Sequence, residues 1–161
     1  MTYIEEIIID KDLLLEFVLR LSRFEFALKS VGYVRGDENL AEPDWERFSR
    51  DIDDRFDKDN TPELARVCKY FLFSPPKQQT LEADVLQWSR CLPRQSKTET
   101  ELLLELARRV RSNLCHGGES GGKFHKETAN SEALLRGSLM ILDECLRVAP
   151  EVKQAFDGTD T

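Results

Sequence analysis

The stretch Asp10-Lys11-Asp12-Leu13-Leu14-Leu15-Glu16-Phe17-Val18-Leu19-Arg20-Leu21-Ser22-Arg23-Phe24-Glu25-Phe26-Ala27-Leu28-Lys29-Ser30-Val31-Gly32 decides the fold class. Its apolar residues Leu14, Phe17, Val18, Leu21, Phe24, Leu28 and Val31 recur every three or four positions. That is the period of an amphipathic helix, and Gly32 is a natural stop. Working outward, Trp45, Phe48, Ile52 and Phe56 carry the same period and predict a short helix from Asp44 to about Phe56. Thr61-Pro62-Glu63 combines a capping hydroxyl, a first-turn proline and an early acid, so a helix begins there and ends before Pro75-Pro76. Residues 76–97 read as a loop around a short helix, Leu81 to Ser89. Thr98 and Glu101 form a capping box for a helix running to His116, which Gly117-Gly118 ends. A Gly-rich connection follows to Asn130 or Ser131, the cap of a last long helix to about Val148 with Leu135, Leu139, Leu142 and Leu146 as its stripe. Ile7-Ile8-Ile9 is open between a strand and an added helical turn.

Composition agrees with helices. Leucine occurs 22 times against 14 for valine and isoleucine together, and unbranched side chains favour helix. The expectation is an all-α domain, a compact helical bundle of four to five main helices covering residues 1–161. Its core spans about 10–150, with a frayed tail at 157–161.

The 161 residues, 40% hydrophobic and 33% charged, suit one globular domain and not a disordered chain. The longest apolar runs, Tyr70 to Phe73 and Leu139 to Leu142, fall far short of the ~20 residues a membrane span needs. Glu5, Glu6 and Asp10 stand where a signal peptide requires a basic and then an apolar stretch, so a cytoplasmic protein is expected. Cys68, Cys91, Cys115 and Cys145 match no zinc-ligand spacing and read as buried thiols in a reducing compartment. No metal and no cofactor is implied.

The net charge of −7 argues against a nonspecific polyanion binder. The charge is uneven, however. Residues 94–126 hold 7 basic against 4 acidic side chains, and both histidines, His116 and His125. Within them Arg108-Arg109-Val110-Arg111-Ser112-Asn113-Leu114-Cys115-His116 gathers three guanidiniums, an amide and an imidazole at a helix end. Arginine offers a planar fork to phosphate oxygens and histidine exchanges protons near neutral pH, so the set suits a phosphodiester. With RNA, the 2′-hydroxyl is itself the nucleophile. His125 reads instead as a solvated loop residue, Cys115 as a helix-packing residue, and Trp45 and Trp88 as packing residues.

This segment resembles the HEPN superfamily (higher eukaryotes and prokaryotes nucleotide-binding domain), whose mark is an arginine, four to six residues and a histidine near a helix end. Arg111, four residues and His116 fit it, followed by the usual glycine. The stretch Arg20 to Lys29 looks like the first helix of small prokaryotic members. Ser112 stands where the family often has asparagine, the amide being at Asn113. Gly118 stands where some members carry a tyrosine that a partner nucleotidyltransferase modifies, so that silencing is not carried over.

The resemblance implies a metal-independent endoribonuclease, a toxin or antiphage effector, with Arg111, Asn113 and His116 as catalytic residues. RNA is the substrate, a homodimer the assembly, and an antitoxin protein a further partner. The alternative is a non-catalytic helical module that binds RNA, a nucleotide or a partner protein, and the Ser112 departure and the net acidity lean that way. On a regular helix Arg111 and His116 lie about 140° apart, whereas Arg109, Asn113 and His116 fall within about 60°. Either the helix loosens before Gly117, or Arg111 of one subunit meets His116 of another, or Arg109 shares the work. Glu25 interrupts the apolar stripe of the first helix, where a carboxylate needs a partner, so it is expected to support Arg109 or Arg111, the alternatives being a snorkelling edge residue or a purely structural ion pair.

Overall fold

The structure, a computed structural model, describes residues 9–93, 97–115 and 128–158. Its first element, α1 (Lys11–Ser30), is the helix the opening stretch predicts. The Asp10 carboxylate caps it by accepting from the amides of Asp12 and Leu13 at 3.0 and 3.1 Å. Leu13, Phe17, Leu21, Phe24, Ala27 and Leu28 are buried, while Val18, expected in the stripe, is exposed. Gly32, at φ +98°, closes the helix: its amide bonds Lys29 O and that of Tyr33 bonds Leu28 O.

The all-α expectation is corrected by two antiparallel hairpins. In the first, β1 (Val34–Gly36) pairs with β2 (Ala41–Pro43), placing Arg35 opposite Glu42. Asp37 organises its turn, its carboxylate accepting from the amides of Asn39 and Leu40. Gly36 has φ +118°, and a Cβ there would sit 2.0 Å from Leu40 O. In the second, β3 (Gln78–Glu82) pairs with β4 (Val85–Ser89), replacing the expected helix from Leu81 to Ser89. Thr80, Val85 and Trp88 favour strand, and Leu81 with Leu86 and Gln79 with Trp88 face one another across it. The turn residues Ala83 and Asp84 both have positive φ, 46° and 62°, as a two-residue hairpin turn requires.

The remaining elements are helices: α2 (Trp45–Ile52), α3 (Pro62–Phe73), α4 (Glu99–Cys115), α5 (Thr128–Val148) and α6 (Pro150–Asp157). Thr61 caps α3 through its hydroxyl to the Leu64 amide. The capping box of α4 is reciprocal, the Thr98 amide donating to Glu101 at 2.9 Å and the Glu101 amide to Thr98 Oγ1 at 3.2 Å. Helix α5 begins at Thr128, a little before the expected caps. Pro150 ends it as expected but also opens α6, which the sequence reading omits.

Helix α1 packs on α5 and α6, α4 on α2, α3 and α5, and β3 lies against α4. One buried cluster joins them through Phe17, Phe24, Phe48, Phe71, Leu106 and Ile141. Phe24 stacks on Trp45 at 5.2 Å between centroids, and Phe48 meets both rings edge-on. Gly137 lets α5 approach α3 closely, since a Cβ there would lie 2.8 Å from the Phe71 ring.

Candidate functional site

Helix α4 divides its C-terminal half between two tasks, because side chains three or four apart share a face. Arg109 and Asn113 form one face. Arg109, 8% exposed, donates from Nη1 to Pro76 O at 3.1 Å and to Cys91 O at 2.5 Å. Asn113 donates from Nδ2 to Lys77 O at 2.7 Å. Both therefore fasten the two ends of the β3–β4 hairpin to α4. Arg109, expected to share the work of Arg111, and Asn113, implied as catalytic by the resemblance, thus each bond backbone carbonyls at the ends of the hairpin. Burial lowers the pKa of Arg109, and the Cys91 side chain and Glu105 act against that.

The other face carries Arg108, Arg111 and Ser112, and these, with Arg109 and Asn113 at its edge, line an open groove of about 500 Å³. Its other walls come from Arg35 on β1, Trp45 on α2, Gln78 and Gln79 on β3, and Lys97. Glu25 pairs with Arg111 and not with Arg109: Arg111 Nη1 donates to Glu25 Oε1 at 2.7 Å, and Trp45 Nε1 donates to the same oxygen at 3.3 Å. Trp45 is buried between Phe24 and the Arg108 guanidinium, whose carbon lies 5.1 Å from the ring centroid. The Trp45 expectation of packing agrees with this position, whereas Trp88 is 37% exposed on β4. Ser112 is exposed on the groove wall.

His116, Gly117, Gly118 and His125 lie outside the described residues, as do the Cys115 side chain, residues 1–8 with Ile7 and Ile8, and the end of the tail at 159–161. His116 follows Cys115, the last residue of α4, in the chain. Among the described residues, Cys68 and Cys145 are buried free thiols; burial pushes Cys68 up to about 12 and Cys145 well above the ordinary thiol value. Among the described residues, no group of three or more metal-ligating side chains gathers and no helix is long and apolar enough to cross a membrane.

Sequence reasoning counted Arg108 in the basic cluster but gave it no role of its own, and it passed over Arg35, Lys97, Gln78 and Gln79. A helical count could have found Arg108, which lies about 60° around the helix from Arg111. The others come to the groove only through the hairpins and the start of α4. Comparison with protein-family models, with curated proteins and with solved structures gave no match.

Proposed function

We propose that this protein is a metal-independent endoribonuclease whose groove along α4 receives single-stranded RNA. The observation that carries the reading is the groove's charge. Its lining holds five cations, Arg35, Lys97, Arg108, Arg109 and Arg111, against the carboxylates of Glu46 and Glu105, on a chain whose net charge is −7. Such a concentration favours a phosphate backbone locally while the rest of the surface repels it. The Arg111-x4-His116 spacing and the resemblance to HEPN nucleases support the chemistry.

In the proposed reaction the ribose 2′-oxygen attacks the adjacent phosphorus and the P–O5′ bond breaks. His116 takes the 2′-hydroxyl proton as general base, and a proton returns to the leaving 5′-oxygen. Arg111 neutralises the charge that grows on the non-bridging oxygens, and Glu25 holds its guanidinium in place. The products are a 2′,3′-cyclic phosphate and a 5′-hydroxyl. Such an activity fits a toxin or antiphage effector held by an antitoxin protein.

Purified protein should cleave single-stranded RNA in EDTA, and His116→Ala should abolish cleavage with thermal stability changed by less than about 1 kcal/mol. Cleavage that survives in that variant removes His116 from the mechanism, and cleavage lost to EDTA makes the protein a metal enzyme. One observation favours a second reading, a non-catalytic module binding RNA, a nucleotide or a protein: Arg111 is already neutralised by Glu25. RNA bound but left intact by the wild type would establish it.

A further inference from the structure

Of the five cations lining the groove, four have an oxygen partner. Arg35 pairs with Glu42 at 3.8 Å, Lys97 with Glu105, Arg111 with Glu25, and Arg109 with two carbonyls. Arg108 has none among the described residues. Its Nε is buried without a hydrogen bond, and its guanidinium lies against the face of Trp45. A buried guanidinium N–H without an acceptor is costly, and native structures rarely leave one so. Burial accordingly lowers its pKa, Glu105 and Glu25 acting against that from a distance and Arg111 with it. The ring of Trp45, fixed by Phe24 and by its bond to Glu25, holds the Arg108 side chain against the groove wall and supplies no hydrogen-bond acceptor.

We infer that Arg108 is the anchor of a second phosphate subsite in the groove, distinct from Arg111, which takes a non-scissile phosphodiester of the bound RNA strand. The inference rests on the reading of the groove as an RNA site. Arg108 and Arg111 stand three residues apart on α4, about 4.5 Å along its axis and about 60° around it, so their side chains can meet neighbouring phosphates of one strand. Arg111 is balanced by Glu25, so it meets an incoming phosphate with little net charge, whereas Arg108 brings an uncompensated one. Arg108 therefore dominates ground-state binding, and Arg111 has its effect where charge develops.

The test uses the full chain carrying His116→Ala, so that RNA is bound without being cut, and a fluorescein-labelled single-stranded RNA decamer. Arg108→Met keeps the bulk that lies on Trp45, and Arg108→Lys keeps the charge without the fork; a melting curve on each confirms folding. Arg108→Met is expected to weaken RNA binding at least tenfold and to reduce the salt slope by about one ion, with Arg108→Lys intermediate. Unchanged affinity and slope in a folded Arg108→Met overturn the inference, and an equal loss for a poly-glutamate probe shows a general anion site and overturns the assignment to RNA phosphate. If the parent chain binds no RNA, the reading of the groove fails. Pyrophosphate titrated against Trp45 fluorescence in a Trp88→Phe background then decides the subsite: quenching abolished by Arg108→Met upholds a phosphate site, and no quenching overturns it.

Discussion

Glu25 serves two donors through one oxygen, accepting from Arg111 and from the Trp45 indole. Glu25→Gln leaves an acceptor for Trp45 but frees Arg111 from its counter-charge. Under the proposed chemistry, RNA should bind more tightly, so KM falls, while kcat drops about tenfold because the guanidinium loses its orientation. If KM and kcat are both unmoved in steady-state cleavage, the pair is only structural. Elsewhere a single carboxylate joins two segments. Glu144, 4% exposed, accepts from the Asp57 amide, from Asn60 Nδ2 and from Arg147, tying the segment before α3 to α5. Burial alone would raise its pKa, but the Arg147, Asp57 and Asn60 bonds outweigh that and hold it below the ordinary carboxylate value. Its stabilisation is thus complete above the unfolded carboxylate pKa and is lost as pH falls through the lowered folded value. Glu144→Gln should cost about 1–3 kcal/mol at neutral pH, and its denaturation curve should converge on the wild type's in acid. Glu25 was legible in the sequence because it interrupts an apolar stripe. The freedom of Arg108 was not, because it depends on which guanidiniums the carbonyls of Pro76 and Cys91 and the carboxylate of Glu25 reach first.

Helices were legible where local chemistry alone fixes them. The Asp10, Thr61 and Thr98 caps and the Gly32 stop each satisfy backbone groups within a few residues, so their signals survive in the bare sequence. The hairpins were not legible. Ala83-Asp84 takes positive φ at both positions without the glycine or asparagine that ordinarily announces such a turn, and Leu81, Leu86 and Trp88 also fit a short helix. Ala83→Gly should remove left-handed strain from this turn and raise stability by about 0.5 kcal/mol, read as a higher Tm. Gly36→Ala should do the reverse. Its φ of +118° and the 2.0 Å approach to Leu40 O leave no room for a Cβ, so more than about 1 kcal/mol should be lost in a urea titration. An undiminished midpoint would mean that the β1–β2 turn rearranges freely.

At the level of the molecule, an acidic chain gathers five cations against two carboxylates in one groove built from helix and hairpin together. The sequence showed the basic stretch but not the walls, since Arg35 and Gln79 arrive from strands the periodicity does not announce. Assembly is open to a direct test. If the Arg111 of one subunit serves the His116 of another, mixing Arg111→Ala with His116→Ala under subunit exchange should restore cleavage, because one composite site in the heterodimer keeps both residues. Dimers without recovered activity would place each site within one chain, and an active monomer in light scattering would remove the shared site altogether.

The two carbonyl bonds of Arg109 have a kinetic consequence. By gripping Pro76 and Cys91 with one guanidinium, α4 ties off the chain between them as a closed loop, much as a cross-link would. The closure entropy of a loop this long is about 2 kcal/mol, and Arg109 holds it reversibly. The β3–β4 arm should therefore open as one unit when that grip fails, and its amides should exchange with solvent deuterium together, well before those of α1 or α4. In Arg109→Met the arm should exchange faster by a common factor at every protected amide, with the helices unaffected.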